Sequence, residues 1–321
     1  MGPRILLTGT TGFIGGRVAA TAAARTDVGH LRLLARGPLA DGDATERNQD
    51  GRPASEIAVG DLRDHASLRR ACEGVDILIH CASAIGVDEE TARAVNDEGT
   101  RALVDAAVHA GVSRIVSLST ASVHGRGPFR AAAPGTLPLA PGSATSRTRA
   151  AGERHVMDAG GTVLRPHLVY GTGDRQLVPG LVRLLAALPG PLDAGDSLHS
   201  AIGVDSLAGV LLGAALSPGT RPGPYYVDHP EPVPVAELLA PCEALLACRP
   251  GPARGPSVDI AEARALLADL SFAQHHLAML ADDHWFEDDR PWRELGCDPG
   301  PGFTEGIGDH LAWYRSILGP A

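Results

Sequence analysis

The sequence predicts an α/β fold: a doubly wound parallel sheet with a smaller, mostly helical C-terminal lobe. Three observations carry that expectation. Residues 8–15 read Thr-Gly-Thr-Thr-Gly-Phe-Ile-Gly directly after a short apolar run. From there to Gly171, apolar runs alternate with stretches of helical patterning. Beyond Gly171 the alternation weakens and helical patterning dominates. Strands alternating with helices at this spacing imply right-handed crossovers and a parallel sheet. The expected division is a sheet domain over residues 1–171 and a substrate-binding lobe over 172–321.

The elements follow in order. Residues 4–7 form an apolar run that ends in the glycine turn, and 13–24 have helical composition, so the chain opens strand, turn, helix. Residues 31–35 are the second strand. Residues 37–53 are rich in Gly, Asp and Pro without periodicity, which predicts a flexible surface loop. Further strands are expected over 57–60, 76–80, 114–118 and 162–164, with helices over 66–72, 89–110 and 147–158 between them. Residues 125–142, rich in Pro, Gly and Ala, read as a loop over the sheet edge. In the lobe, helices are expected over 177–188, 206–216, 235–246, 260–270 and 303–318, with a short strand over 224–227. A lobe of this kind closes over the carboxyl end of the sheet, where doubly wound proteins bind ligands. No internal repeat is visible.

A chain of 321 residues buries a large core. Apolar residues make up 44% and charged residues 21%, an ordinary globular balance. Net charge is −10 with no basic stripe, which argues against a nucleic-acid partner. No apolar run reaches the roughly 18 residues that span a bilayer, so no membrane partner is expected. The first residues read as a strand and not a signal peptide, and Leu6 departs from the myristoylation pattern. Cys72, Cys81, Cys242, Cys248 and Cys297 are odd in number and lack metal-site spacing. Reduced thiols in a cytoplasmic protein, with no metal, are the expectation.

Thr8, Gly9, Thr11, Gly12, Phe13, Ile14 and Gly15 are the candidate phosphate loop of a Rossmann-type, dinucleotide-binding domain. Gly9 allows the tight turn, Gly12 lets backbone N–H groups approach a pyrophosphate, and Gly15 lets helix pack closely on strand. An acidic residue after the second strand would hold the ribose 2′-hydroxyl of NAD. Arg36 stands there instead, and a guanidinium fits a 2′-phosphate, so NADPH is the expected cofactor. Asp61 and Leu62 are expected beside the adenine. Cys81, Ala82 and Ser83 are expected along the pyrophosphate and ribose.

These residues resemble the extended short-chain dehydrogenase/reductase family, also called the NAD-dependent epimerase/dehydratase family. The likeness continues through Asn96 in Val-Asn-Asp-Glu-Gly-Thr-Arg and through Ser-Thr-Ala-Ser-Val-His-Gly at 119–125. It extends over Arg-Pro-His-Leu-Val-Tyr-Gly at 165–171 and Val-Asp-Ser-Leu-Ala at 204–208. The resemblance implies a hydroxyl that holds a substrate carbonyl, at Thr120 with Ser119 or Ser122, and a cofactor contact at Pro166. It also implies a Tyr that donates a proton and a Lys that lowers its pKa. Counting back from Glu153, the helix glutamate of the family, the Tyr position holds Thr145 and the Lys position Arg149. The chain contains no lysine at all. Arg149 is therefore expected to hold ribose without shuttling a proton. His124 and His167 lie past the ends of two strands and are candidate proton donors. Water relayed through Ser119, Thr120 or Thr145, or an acidic group on the substrate itself, is the favoured alternative.

Family members that bind nucleotide sugars grip a diphosphate with an arginine where this chain has His199. Residues 257–285 carry Phe272, His275, His276, Leu277, Met279, Leu280 and Trp285, and predict a helical lid over a flat hydrophobic substrate. His275 and His276 point to different sides of a helix, which argues against a metal site. The chain also resembles tailoring ketoreductases of aromatic polyketide pathways, of the angucyclinone kind. The expectation is an NADPH-dependent ketoreductase acting on a polycyclic aromatic ketone. A deoxysugar ketoreductase or epimerase and a non-catalytic NADP(H) sensor are the rivals. The number of subunits is left open.

Overall fold

The computed structural model describes residues 2–37, 54–248 and 254–319. Apart from Gly37, the loop expected over 37–53 lies outside the described residues. The main sheet runs Gly223–Tyr226, Thr162–Arg165, Arg114–Leu118, Ile77–His80, Arg4–Thr8, His30–Ala35, Ala54–Val59, every neighbouring pair parallel. The chain winds outward one way from Arg4–Thr8 and then the other way from Ile77–His80. The crevice between the carboxyl ends of those two strands is the switch point at which such sheets bind ligands.

A parallel sheet is covered on both faces, so its central strands are mostly apolar. Ile5 and Leu7 pack toward the helices Phe13–Ala23 and Val204–Leu216, with Val18, Leu207 and Leu211. Leu6, between them, points to the opposite face, against Leu68, Leu78 and Leu103. All three are fully buried. Local capping explains where helices begin. The Ala144–Asp158 helix starts three residues before the expected 147, because Ser143 and Ser146 form a reciprocal capping box. The helix expected over 89–110 follows one path but contains a π turn at Arg93–Gly99. The helix expected over 260–270 stops at Leu266, and a second helix spans Ser271–Leu280.

Beyond Gly171 the chain both builds the lobe and returns to the sheet. The strand expected over 224–227 is the edge strand of the main sheet, Gly223–Tyr226, paired with Thr162–Arg165. The lobe has its own core, in which Leu181, Leu185, Leu238, Leu277 and Tyr314 meet. The loop expected over 125–142 is tied down instead of crossing the sheet edge freely. Its Phe129–Ala132 strand pairs in parallel with His284–Phe286, in a small sheet with Leu198–His199 and Val233–Pro234. No helix among the described residues is long and apolar enough to cross a membrane.

Candidate active site

A cavity of about 1260 Å³ opens over the carboxyl ends of the strands. That exceeds the roughly 300–1,000 Å³ usual for one small ligand, and the two ends of the cavity differ in construction. At one end lie Gly9, Thr11, Gly12, Phe13, Ile14 and Gly15, with Cys81 and Ser83. Gly9 takes φ +75°, which favours glycine. A Cβ on Gly15 would stand 2.2 Å from the Gly9 carbonyl oxygen. The Phe13–Ala23 helix has no side-chain cap, so its first amides remain available to an anion. This backbone cradle fits a dinucleotide pyrophosphate.

Behind it runs a buried chain of hydrogen bonds. Ala82 N donates to Thr8 Oγ1 (3.2 Å), Thr8 Oγ1 to His80 Nδ1 (2.7 Å), and His80 Nε2 to Thr100 Oγ1 (3.1 Å). Burial, then the charge of Arg149, pushes the His80 pKa down to about 4. His80 therefore stays neutral and fixes the turn. Asn96, presented by the π turn, holds both Ala84 N (2.7 Å) and Ala84 O (2.9 Å). Burial pushes the Cys81 thiol up to about 12, so it is no nucleophile. Thr8 and Ala82 thus support the turn without lining the cavity, and Leu62 is buried in the core beside the sheet. Arg36 is exposed past His30–Ala35, within electrostatic reach of Asp61. Asp61 is gripped by Arg63 at 2.9 and 2.8 Å, which holds its carboxyl down to about 2.

Ser119, Thr120 and Ser122 follow the Arg114–Leu118 strand onto the wall. Thr120 Oγ1 accepts from Ser122 N (3.2 Å) and donates to Ser122 Oγ (3.1 Å), leaving the Ser122 hydroxyl proton for a ligand. Ser119 Oγ is buried without a partner. From the Ala144–Asp158 helix, Ser143, Ser146 and Arg149 face the cavity. Thr145 is half-buried and does not line it: the phase set by the capping box presents residues 146 and 149. Glu153 forms a paired bond to Arg165 (3.0 and 2.5 Å), a buried ion pair that anchors the strand end before Pro166 and His167.

The histidines separate by environment. His124 Nδ1 donates to Pro138 O (2.8 Å), and its Nε2 accepts from Tyr226 Oη (2.9 Å). It does not line the cavity, and burial lowers its pKa, so it has no proton to offer a substrate. His167 does line the cavity. Its ring stacks on His284 at 5.5 Å and on His199 at 6.3 Å. Burial and these neighbours push its pKa well below the usual histidine value, so the ring is a neutral plate. His199, the position of the family's diphosphate arginine, is fully buried behind the wall on Ser197 Oγ (3.0 Å). No local pattern signals this stack, nor Asp228 beside it. Asp228 Oδ1 accepts from His167 N (2.8 Å), and burial pushes its carboxyl up to about 7.

The far end of the cavity carries Phe129, His275, His276, Met279, His284 and Phe286. Within the expected lid, the Ser271–Leu280 helix buries Ala273, Leu277 and Leu280 and presents His275, His276 and Met279 to the cavity. Among the described residues, no group of three or more His, Cys, Asp or Glu side chains is placed to hold a metal.

Residues 6–208 match the 3-beta hydroxysteroid dehydrogenase/isomerase family, well over half of the chain. The chain belongs to this family. It is one branch of the NAD-dependent epimerase/dehydratase group that the motifs resemble. Sterol demethylase protein B of Methylococcus capsulatus is 28% identical, covering 97% of this chain and 98% of that protein. The 3 beta-hydroxysteroid dehydrogenase/Delta 5→4-isomerase of Mycobacterium tuberculosis is 29% identical, over 74% of this chain and 68% of its own length. Among solved structures, WbmH of Bordetella bronchiseptica, in complex with NAD+, matches with a TM-score of 0.73 at 17% identity, covering 98% and 99% of the two chains. A double mutant of DesIV, the dTDP-glucose 4,6-dehydratase of Streptomyces venezuelae, with NAD and DAU bound, matches at 0.71 and 23%, covering 97% of each. These structures establish the fold. The family makes this chain a member of a group named for dehydrogenase and isomerase activity.

Proposed function

We propose that this family member is an NADPH-dependent ketoreductase acting on a flat, polycyclic aromatic ketone. The observation that carries the substrate class is the wall of flat rings at the far end of the cavity. Phe129, Phe286, His167 and His284 present ring faces and edges, and Met279 adds an adaptable apolar contact. The relatives named for sterols and steroids work on flat polycyclic molecules of similar shape. The burial of His199 argues against a nucleotide-sugar substrate, because the side chain at the family's diphosphate-arginine position is a histidine kept neutral by burial. Arg36 supports NADPH over NADH. Asp61, the described carboxylate within its electrostatic reach, is already paired with Arg63.

When bound, the reduced nicotinamide supplies hydride. Gly9 to Gly15 would hold its pyrophosphate, and Arg36 the 2′-phosphate. Ser122, oriented by Thr120, donates a hydrogen bond to the carbonyl. Neither histidine near the reaction is protonated near neutral pH, so the proton comes from water or from an acidic group on the substrate.

The test is NADPH consumption with polycyclic hydroxyketones, steroid ketones and nucleotide-linked ketosugars, alongside Arg36→Ala. Turnover of the hydroxyketones that weakens in the variant, with little use of NADH, supports the reading. Turnover confined to ketosugars overturns the substrate class. Saturable NADPH binding without any turnover makes the protein a sensor.

A further inference from the structure

Arg149 is a partly buried cation with no ion-pair partner among the described residues. It lies on the cavity wall, and its one hydrogen bond among the described residues runs from Nη2 to Leu118 O at 3.0 Å. Every nearby group that might neutralise it is occupied or uncharged. Glu153, one turn along the same helix, is committed to Arg165 at both oxygens. Asp174, the carboxylate on the cavity wall, accepts from the amides of Gln176, Leu177 and Val178 and from Tyr314 Oη. Cys81 is held protonated by burial. Burial lowers the Arg149 pKa, yet a guanidinium stays charged near neutrality.

A partly desolvated charge that makes one hydrogen bond among the described residues is a favourable place for an anion. Its place narrows which anion. Leu118 immediately precedes Ser119 and Thr120, so the guanidinium stands at the foot of the hydroxyl row.

We propose that Arg149 is a catalytic residue whose guanidinium binds the substrate carbonyl oxygen and stabilises the alkoxide that forms there. The assignment rests on the ketoreductase reading above and gives it the electrostatic element that the missing Tyr and Lys would otherwise supply. Hydride and its electron pair pass from the reduced nicotinamide to the carbonyl carbon, leaving the cofactor oxidised. The π pair of the C=O bond moves onto oxygen. Arg149 donates hydrogen bonds to that oxygen and keeps its own protons. The alkoxide then takes a proton from water, and bulk solvent neutralises the hydroxide. Fixed charge in a water-poor site, aimed where charge develops, is commonly the largest single contribution to such a step.

The experiment measures NADPH affinity by nicotinamide fluorescence, and kcat on a polycyclic hydroxyketone, for wild type, Arg149→Lys and Arg149→Ala. Arg149→Ala is expected to keep NADPH affinity within about threefold and to lose about 100- to 1,000-fold in kcat, the usual cost of removing one oxyanion donor. Added guanidinium at millimolar concentration restores part of that loss, and Arg149→Lys falls between the two. Should the alanine variant fail to fold, Arg149→Gln takes its place in the same measurements. Loss of NADPH affinity with kcat retained, or a kcat loss that guanidinium leaves untouched, overturns the assignment and leaves Arg149 a ribose or structural contact. Wild-type protein that reduces no ketone overturns the ketoreductase reading itself. Wild-type turnover with full activity in Arg149→Ala overturns the Arg149 assignment alone.

Discussion

The two ends of the cavity are made of different material. The cofactor end is backbone: a left-handed glycine, an uncapped helix start and a carbonyl that leaves no room for a Cβ. The far end is side chain, assembled from a loop near residue 129, a helix near 279 and a short strand at His284–Phe286. Backbone sites tolerate little substitution but accept any family substrate. Side-chain walls can be exchanged without disturbing the fold, so specificity can change there while the hydride chemistry is kept.

The sharpest way to break that comparison is to put a side chain into the backbone end. Gly15→Val drives a Cβ onto the Gly9 carbonyl oxygen, 2.2 Å away. NADPH affinity should fall by more than about 100-fold, the equivalent of roughly 3 kcal/mol, measured by fluorescence titration. Retained affinity would mean that the turn is not the cofactor cradle. Between the two ends, Ser122→Ala removes the free hydroxyl that Thr120 orients. It should lower kcat on a hydroxyketone about 10- to 100-fold while NADPH affinity stays unchanged. An equal loss in both quantities would place Ser122 at the cofactor and not at the substrate.

At the side-chain end, Met279→Ala removes a half-buried apolar contact and should raise KM about tenfold with kcat nearly constant, as loss of about 1.5 kcal/mol of apolar contact implies. A kcat effect larger than the KM effect would contradict a wall that only binds. The smallest effect concerns the floor of that wall. Asp228 has its folded-state pKa raised to about 7 from 3.8. The stability that its proton supplies is present below about pH 4 and is lost as pH rises to about 7. Asp228→Asn keeps an acceptor for His167 N and removes that loss. The variant should melt roughly 1–2 °C above wild type at pH 8, the shift produced by about 1 kcal/mol in a chain of this size. The gap should close toward pH 4.5, as followed by thermal melts. The buried histidines also affect stability at low pH, but they are common to both proteins and cancel in the difference.

The same contrast explains what the sequence made legible. Gly9, Gly12 and Gly15 could be read because a phosphate turn is a local pattern, and six strands of the main sheet could be read because each is a short, mostly apolar run between helical stretches. Arg149 could be located by counting back from Glu153, but its lack of a counter-ion could not, since that depends on Arg165 and Asp174 being occupied. Thr145 looked like a wall residue by spacing alone, and a capping box two residues upstream turned other side chains to the cavity. The plate of His167, His199 and His284 was invisible. Its members lie far apart in sequence and meet through strands of two and three residues, too short to carry any periodicity. The edge strand at Gly223–Tyr226 was assigned to the lobe because nothing local reveals that the chain turns back to the sheet.

The central claim is that this chain transfers hydride to a ketone without a tyrosine–lysine pair. The most direct measurement supplies NADPH deuterated at the transferable C4 position, with a polycyclic hydroxyketone, and examines the product by mass spectrometry and NMR. One deuterium at the carbinol carbon, formed at a rate that saturates with both ligands, is the predicted result. Tight NADPH binding with no deuterium in any product would contradict the account.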